Sequence, residues 1–181
     1  MPADRLAVVC TGASAALELP AHLTAWRRRL PVPTTVLLTS AALTFVQPTA
    51  IRLLADEVVE PNATGFNPVA FAHTARLLVV APATANFVVS AALGLANSPA
   101  LTAVLATPAP VVLFPHMHPT MWRARTTQAA VRGLRERGVV VVSPEPTTVL
   151  TLWNGEFGDS HAMPGPSGTA KIVEAQWRAA G

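Results

Sequence analysis

Two short segments set chemistry-bearing side chains among small ones. In Pro82-Ala-Thr84-Ala85-Asn86-Phe87, the amide of Asn86 stands in a run of small residues. Small side chains let a flat ring approach the backbone, and an amide offers a donor and an acceptor to ring-edge atoms or to a substrate. In Pro115-His-Met-His-Pro-Thr-Met121-Trp122, His118 lies beside the thioethers of Met117 and Met121, which suit the face or edge of an aromatic ring. Two further segments, Thr11-Gly12-Ala13-Ser14 and Thr39-Ser40-Ala41-Ala42, bring hydroxyls to the start of helical stretches. First-turn amides there attract an anion such as phosphate. Taken singly, Pro82–Phe87 and Pro115–Trp122 also read as ordinary strand-end loops.

The elements around these segments alternate. Leu6–Cys10 is an apolar strand ending in Thr11–Ser14, and a helix follows through Leu19, Leu23 and Trp26 to Arg27–Arg29. Thr35–Leu38 is a second strand, followed by a helical stretch through Phe45. Glu60–Pro68 reads as loop, with Asn67 the expected N-cap and Pro68 at the first helical position. Leu77–Val80 and Val111–Phe114 are strands; helices are expected from Asn86 through Leu95 and from Thr126 to Arg137, and Val139–Ser143 is the last core strand. Strands apolar on both faces and alternating with helices predict an α/β fold, a single doubly wound parallel sheet covered on both sides. Such sheets bind ligands beyond the carboxyl ends of their strands, which is where all four segments fall. From Pro144 to Gly168 the chain turns rich in Pro and Gly and reads as a long loop ahead of a short terminal helix.

Composition bounds the classes. The 181 residues fit one domain, 51% of them hydrophobic and only 13% charged, against roughly 25% charged in ordinary soluble chains. No uninterrupted apolar run of about 18 residues is present, so no membrane span is expected. A subunit that buries much of its outside in a homo-oligomer fits better. The net charge of +3 comes mainly from Arg27–Arg29 and the Arg123–Arg137 region. Those arginines sit at helical spacing without interleaved aromatics, so no nucleic-acid partner is expected. The start of the chain lacks a signal-peptide pattern, and the single cysteine, Cys10, lies in an apolar strand. A cytoplasmic location and a buried structural thiol are the expectations. No metal ligand set is assigned.

In this order and spacing the segments resemble the Pro-Ala-Ser-Ala-Asn-Thr and Pro-X-Met-Asn-X-X-Met-Trp motifs of the homo-oligomeric flavin-containing cysteine decarboxylases. That family includes phosphopantothenoylcysteine decarboxylases and the peptidyl-cysteine decarboxylases of lantibiotic-type peptide biosynthesis. The similarity runs from about Leu6 to Ser143. It implies a Rossmann- or flavodoxin-like three-layer fold, FMN (or FAD) as cofactor, and a trimer or a dodecamer built from trimers. It further implies that Thr84, Ala85, Asn86, Phe87 and Met117 line the flavin. Gly12, Ser14, Thr39 and Ser40 would surround its phosphate, although the family's phosphate serine falls on Ala13 here. Phe45 has two readings, flavin contact and core packing. Asn86 is a candidate catalytic residue, and His118 and Met121 are candidates to meet the substrate.

Three departures bear on the chemistry. The family's active-site histidine, about fourteen residues ahead of the first motif's proline, falls on Pro68; the nearest histidine is His73, about one and a half helical turns onward. His118 stands where the family has the asparagine that contacts the substrate carboxylate. The C-terminal cysteine with which phosphopantothenoylcysteine decarboxylases protonate the enethiol has no counterpart, since only Cys10 is present. The expectation is therefore a flavin-dependent peptidyl-cysteine decarboxylase. It would convert the C-terminal cysteine of a ribosomal precursor peptide to an aminoenethiol, with His118 and, more weakly, His73 as catalytic candidates. The segment 144–168, with Trp153, Phe157 and Met163, would act as substrate clamp or oligomer-contact arm. Rival readings are a phosphopantothenoylcysteine decarboxylase, a flavin prenyltransferase and a catalytically silent flavin-binding subunit.

Overall fold

A computed structural model describes residues 4–152 and 154–181. The strands are β1 (Arg5–Cys10), β2 (Thr34–Leu38), β3 (Glu57–Val59), β4 (Ala75–Ala83), β5 (Val111–Pro115), β6 (Val140–Val141), β7 (Glu145–Thr151) and β8 (Glu156–Ala162). The helices are α1 (Leu19–Arg29), α2 (Pro48–Ile51), α3 (Pro68–Thr74), α4 (Ala85–Ala92), α5 (Pro99–Ala106), α6 (Pro119–Arg123), α7 (Arg125–Glu136) and α8 (Pro166–Ala179). Among the described residues, β1 to β6 form one parallel sheet in the order β3-β2-β1-β4-β5-β6.

The strand alternation feeds two cores. Leu6, Val8 and Cys10 of β1 face one side with Leu77 and Val79 of β4, under Leu23 and Trp26 of α1 and Val173 and Trp177 of α8. Ala7 and Val9 face the other side with Leu78 and Val80, under Phe71 of α3, Val88 of α4, Leu101 of α5 and Leu134 of α7. Because side chains alternate along a strand, a stretch buried on both faces must be apolar throughout, and Leu6–Cys10 and Leu77–Ala83 are. The chain leaves β1 toward β2 on one side of the sheet, and β4 lies on the other side of β1. The resulting crevice between the carboxyl ends of β1 and β4 is the topological switch point.

Several elements differ from expectation. The region 144–168 is not irregular: β7 and β8 form an antiparallel hairpin from Glu145↔Ala162 to Thr151↔Glu156, and α8 already begins at Pro166. Asn154-Gly155, with Gly155 at φ 71°, supplies its turn. The stretches after β1 and β2 open as single 3-10 turns, Ser14–Glu18 and Ser40–Thr44, rather than α-helices. The α4 helix stops at Ala92, short of Leu95, and β6 spans Val140–Val141 only. Asn67 does cap α3, its Oδ1 accepting from the Val69 and Ala70 amides at 2.9 and 3.1 Å.

Candidate functional site

Thr11 knits the switch point together. Its hydroxyl donates to the Pro82 carbonyl (2.8 Å) and accepts from the Thr84 amide (3.1 Å), tying the end of β1 to the end of β4. Thr84 then caps α4, its Oγ1 accepting from the Phe87 amide at 3.2 Å. Asn86, at the second position of α4, is left exposed on the rim. On the other flank of β1, the Thr39 amide donates to the Cys10 carbonyl (3.0 Å) and its hydroxyl accepts from the Ala42 amide (3.3 Å). Gly12 sits where the two turns touch. A Cβ there would lie 2.8 Å from both the carbonyl carbon and the carbonyl oxygen of Ala41, so close approach excludes a side chain.

Three chain turns thus open side by side, with first-turn amides of Ser14, Ser40, Ala85 and Asn86 that have no acceptor within their own helices. Ser14 and Thr39 are half-buried beside these amides, and Ser40 is exposed. Together they form a neutral, donor-rich rim suited to an anion and a polar ring edge.

The β5 turn closes the far side. The His116 amide donates to the Ala83 carbonyl at 3.0 Å, carrying the β4–β5 pairing past Pro115. The His116 ring is buried, with Nε2 3.1 Å from the Ser14 hydroxyl. Burial pushes its pKa below the usual histidine value. Sequence reasoning gave His116 and Thr11 no role of their own; both lie inside the marked segments, and only strand alternation and burial single them out. His118 caps α6, its Nδ1 accepting from the Thr120 amide at 3.2 Å. A neutral ring must then carry its proton on Nε2, which leaves Nε2–H as a free donor on an exposed side chain. That side chain lines a cleft of about 560 Å³ between α6 and the hairpin, with Arg123, Thr147, Asp159 and His161. The hairpin is pinned there by Met117 and His161, which exchange backbone hydrogen bonds at 3.1 and 3.2 Å.

The structure brings Gly12, Ser14, Thr39, Ser40, Thr84, Ala85 and Asn86 to one end of the sheet, with Met117, His118 and Met121 alongside. Phe87 and Met117 turn their side chains into the second core, and Phe45 packs against the first. They present backbone more than side chain to the rim. His73 does not join the group. It is exposed in the last turn of α3 and two residues before β4 begins, and the nine-residue β4 separates it from Thr84 by about 30 Å. Pro68 opens α3 as its first residue and carries no proton-transfer group. Trp153 lies outside the described residues. A larger cleft, about 810 Å³, opens instead near the amino ends of β1 and β2; its charged groups include Arg5 and Glu57, which pair at 2.7 Å. Cys10 is fully buried and its pKa is pushed up to about 12 by that burial, which leaves it an inert packing thiol.

The comparisons agree with this fold. The bifunctional coenzyme A biosynthesis protein CoaBC of Escherichia coli (strain K12) is 34% identical over 116 residues, which is 61% of this chain and 29% of that protein. This chain therefore matches less than a third of the length of that relative. The FMN-dependent cysteine decarboxylase SpaF superposes with a TM-score of 0.75 at 28% identity, covering 98% of this chain and 96% of that one. The epidermin biosynthesis protein EpiD from Staphylococcus aureus superposes with a TM-score of 0.84 at 17% identity, covering 93% and 99%. An EpiD variant is complexed with the substrate peptide DSYTC. The model of the flavoprotein family matches residues 1–171, and the chain belongs to that family.

Proposed function

We propose that this flavoprotein binds FMN at the switch-point rim and decarboxylates, oxidatively, the C-terminal cysteine of a precursor peptide, working as a homo-oligomer. The observation that carries the proposal is His118: a capped imidazole with Nε2–H free at a cleft beside the rim. The residues present fit a flavin mononucleotide. Gly12 and Ala41 keep the turn surface flat, the Ser14 and Thr39 hydroxyls and turn amides suit its phosphate, and Asn86 suits a ring edge or the substrate. When bound, the flavin supplies a two-electron acceptor.

The substrate chemistry sets the tasks of the side chains. Oxidation of the cysteine Cβ–S unit removes two hydrogens and leaves a thioaldehyde. The Cα–carboxylate bond then breaks, carbon dioxide leaves, and its electron pair enters the thiocarbonyl to give an aminoenethiolate, which takes up one proton. Negative charge moves off the carboxylate in that step, so a donor on it should orient more than stabilise. The His118 Nε2–H does that. Arg123 in the same cleft adds the long-range attraction that draws an anionic peptide end in. The hairpin forms the other wall and would close over the peptide.

Mass spectrometry of a cysteine-ended peptide incubated with the protein should show loss of carbon dioxide plus two hydrogens; the same peptide amidated at its C-terminus should be inert. His118→Ala should lower turnover about tenfold to a hundredfold, the scale of a lost hydrogen bond to a charged group. Flavin occupancy should stay near that of the wild type, and His118→Asn should retain more activity than His118→Ala. A second reading, phosphopantothenoylcysteine as substrate, is favoured by the coenzyme A relative. It gains if that thiol reacts and the peptide does not. A flavin-loaded protein that turns over neither substrate would be a silent subunit.

A further inference from the structure

The cleft beside His118 has walls of opposite charge. Residues 119–135, which take in α6 and most of α7, hold four arginines and no carboxylate, and Arg123 is the one that lines the cleft. Residues 138–170, which take in the hairpin, hold no Lys or Arg and three carboxylates, Glu145, Glu156 and Asp159. Across the hairpin Pro146 pairs with His161 and Thr148 with Asp159. Alternation puts these four on one face, and all four line the cleft. Glu145 and Glu156 fall on the other face, so Asp159 is the carboxylate that the cleft presents. Neither Arg123 nor Asp159 enters an ion pair among the described residues. An unpaired cation on one wall and an unpaired anion on the other leave both for a ligand that brings the complementary charges.

We propose that Asp159 is a specificity-determining residue, which selects peptides with a lysine or arginine within the two residues before the terminal cysteine. This selection presupposes the peptide decarboxylation proposed above, in which His118 and Arg123 take the carboxylate end. The hairpin sets the spacing. His161 is tied to Met117, next to His118, and Asp159 lies two residues back along β8, about 7 Å at the rise of a strand. An extended peptide covers that span in two residues, so a basic side chain there reaches the Asp159 carboxylate. The net charge of +3 works against a cationic peptide, so a preference for one has to come from a local anion.

Three cysteine-ended peptides, identical except for Lys, Gln or Glu at both positions before the cysteine, compete in one reaction with the FMN-loaded protein. Mass spectrometry of the products reads the ratios of kcat/KM. At low salt the Lys peptide should be favoured over the Glu peptide about tenfold, with Gln between them, the scale of one attraction gained and one repulsion removed at a partly exposed pair. High salt should shrink the preference. Asp159→Asn should bring the ratio close to one and Asp159→Lys should invert it. Glu156→Gln removes the same charge from the opposite face and should keep the wild-type ratio. Equal rates for all three peptides, or an undiminished Lys preference in Asp159→Lys, overturn the selection and leave peptide decarboxylation standing. A Glu156→Gln ratio that falls as far as that of Asp159→Asn overturns the assignment to Asp159. If none of the peptides loses carbon dioxide, the peptide reading fails and the selection falls with it.

Discussion

His22 illustrates at the scale of one residue how this protein tolerates a polar ring in its core. The side chain is 1% exposed between α1 and α8, with Nδ1 2.8 Å from the Thr169 hydroxyl. That hydroxyl also accepts from Trp26 Nε1 (3.0 Å) and donates to the Pro166 carbonyl (3.1 Å). Since its one proton goes to Pro166, His22 must donate from Nδ1, and its Nε2 stays an unprotonated, unpartnered atom 3.9 Å from the Glu18 carboxylate. Burial pushes its pKa down to about 4 from 6.5. Between those values the unfolded chain binds a proton that the folded chain refuses, so stability is highest above pH 6.5 and falls as pH drops toward 4. The loss is on the order of 3 kcal/mol for this group alone. Urea unfolding at pH 7 and pH 5 should show the fall, and His22→Leu should flatten it; a slope unchanged in that variant would assign the effect elsewhere. None of this was legible in the sequence, where His22 is one helix residue among apolar neighbours. His118 draws attention in the sequence because a motif marks its position. His73, the weaker candidate, falls in the last turn of the seven-residue α3, at the amino end of β4 and away from the rim.

Elements divide the same way. The parallel strands β1, β2, β4 and β5 announce themselves through the apolar runs Leu6–Cys10, Val36–Leu38, Leu77–Ala83 and Val111–Pro115, because a strand covered on both faces is built so. Their edges do not: β3 has three residues and β6 two, too short for any period to register. The α5 helix is apolar almost all round, so its residues merge with the following apolar stretch and carry no 3.6-residue signal. The hairpin was hidden by composition. Pro144 and Pro146 argue against strand, yet Thr147–Thr151 is rich in β-branched residues and Asn154-Gly155 is a strong hairpin turn signal. Gly12 gives the element-scale prediction. In Gly12→Ala the new methyl meets the Cβ and the backbone of Ala41 rather than a yielding side chain tip, so the β1 and β2 turns must part. The variant should lose about 1–3 kcal/mol in urea unfolding and bind FMN more weakly. Wild-type values for both would show that the turns separate freely and that their contact does not shape the rim.

The whole molecule carries a band without charge. Residues 77–122, which take in most of β4, all of α4, α5 and β5 and most of α6, contain no Asp, Glu, Lys or Arg. Strands inside a sheet explain part of this, but α4 and α5 lie on the outside of the second core. Leu93 just past α4 is 71% exposed and Leu105 on α5 is 59% exposed. Leu95, Leu101 and Leu105 line a groove of about 520 Å³ against Pro108 and Leu134. A lone exposed leucine means little, but an uncharged helical layer carrying several is the kind of surface that an assembly would cover. A second copy of the chain is the occupant that fits the low overall charge. The same layer begins at the α4 turn holding Thr84 and Asn86, so a neighbour seated on it would border the flavin rim. Leu93→Glu with Leu105→Glu tests this. On a free surface the two carboxylates would be solvated and cost within about 0.5 kcal/mol. In an interface they would be buried without partners, at a cost large enough to break the contact. Multi-angle light scattering should report an oligomer for the wild type and a smaller species for the double variant, with apoprotein unfolding in urea no worse than that of an isolated subunit. An unchanged mass would place the subunit contacts on another face, and a wild-type monomer would remove the need for one.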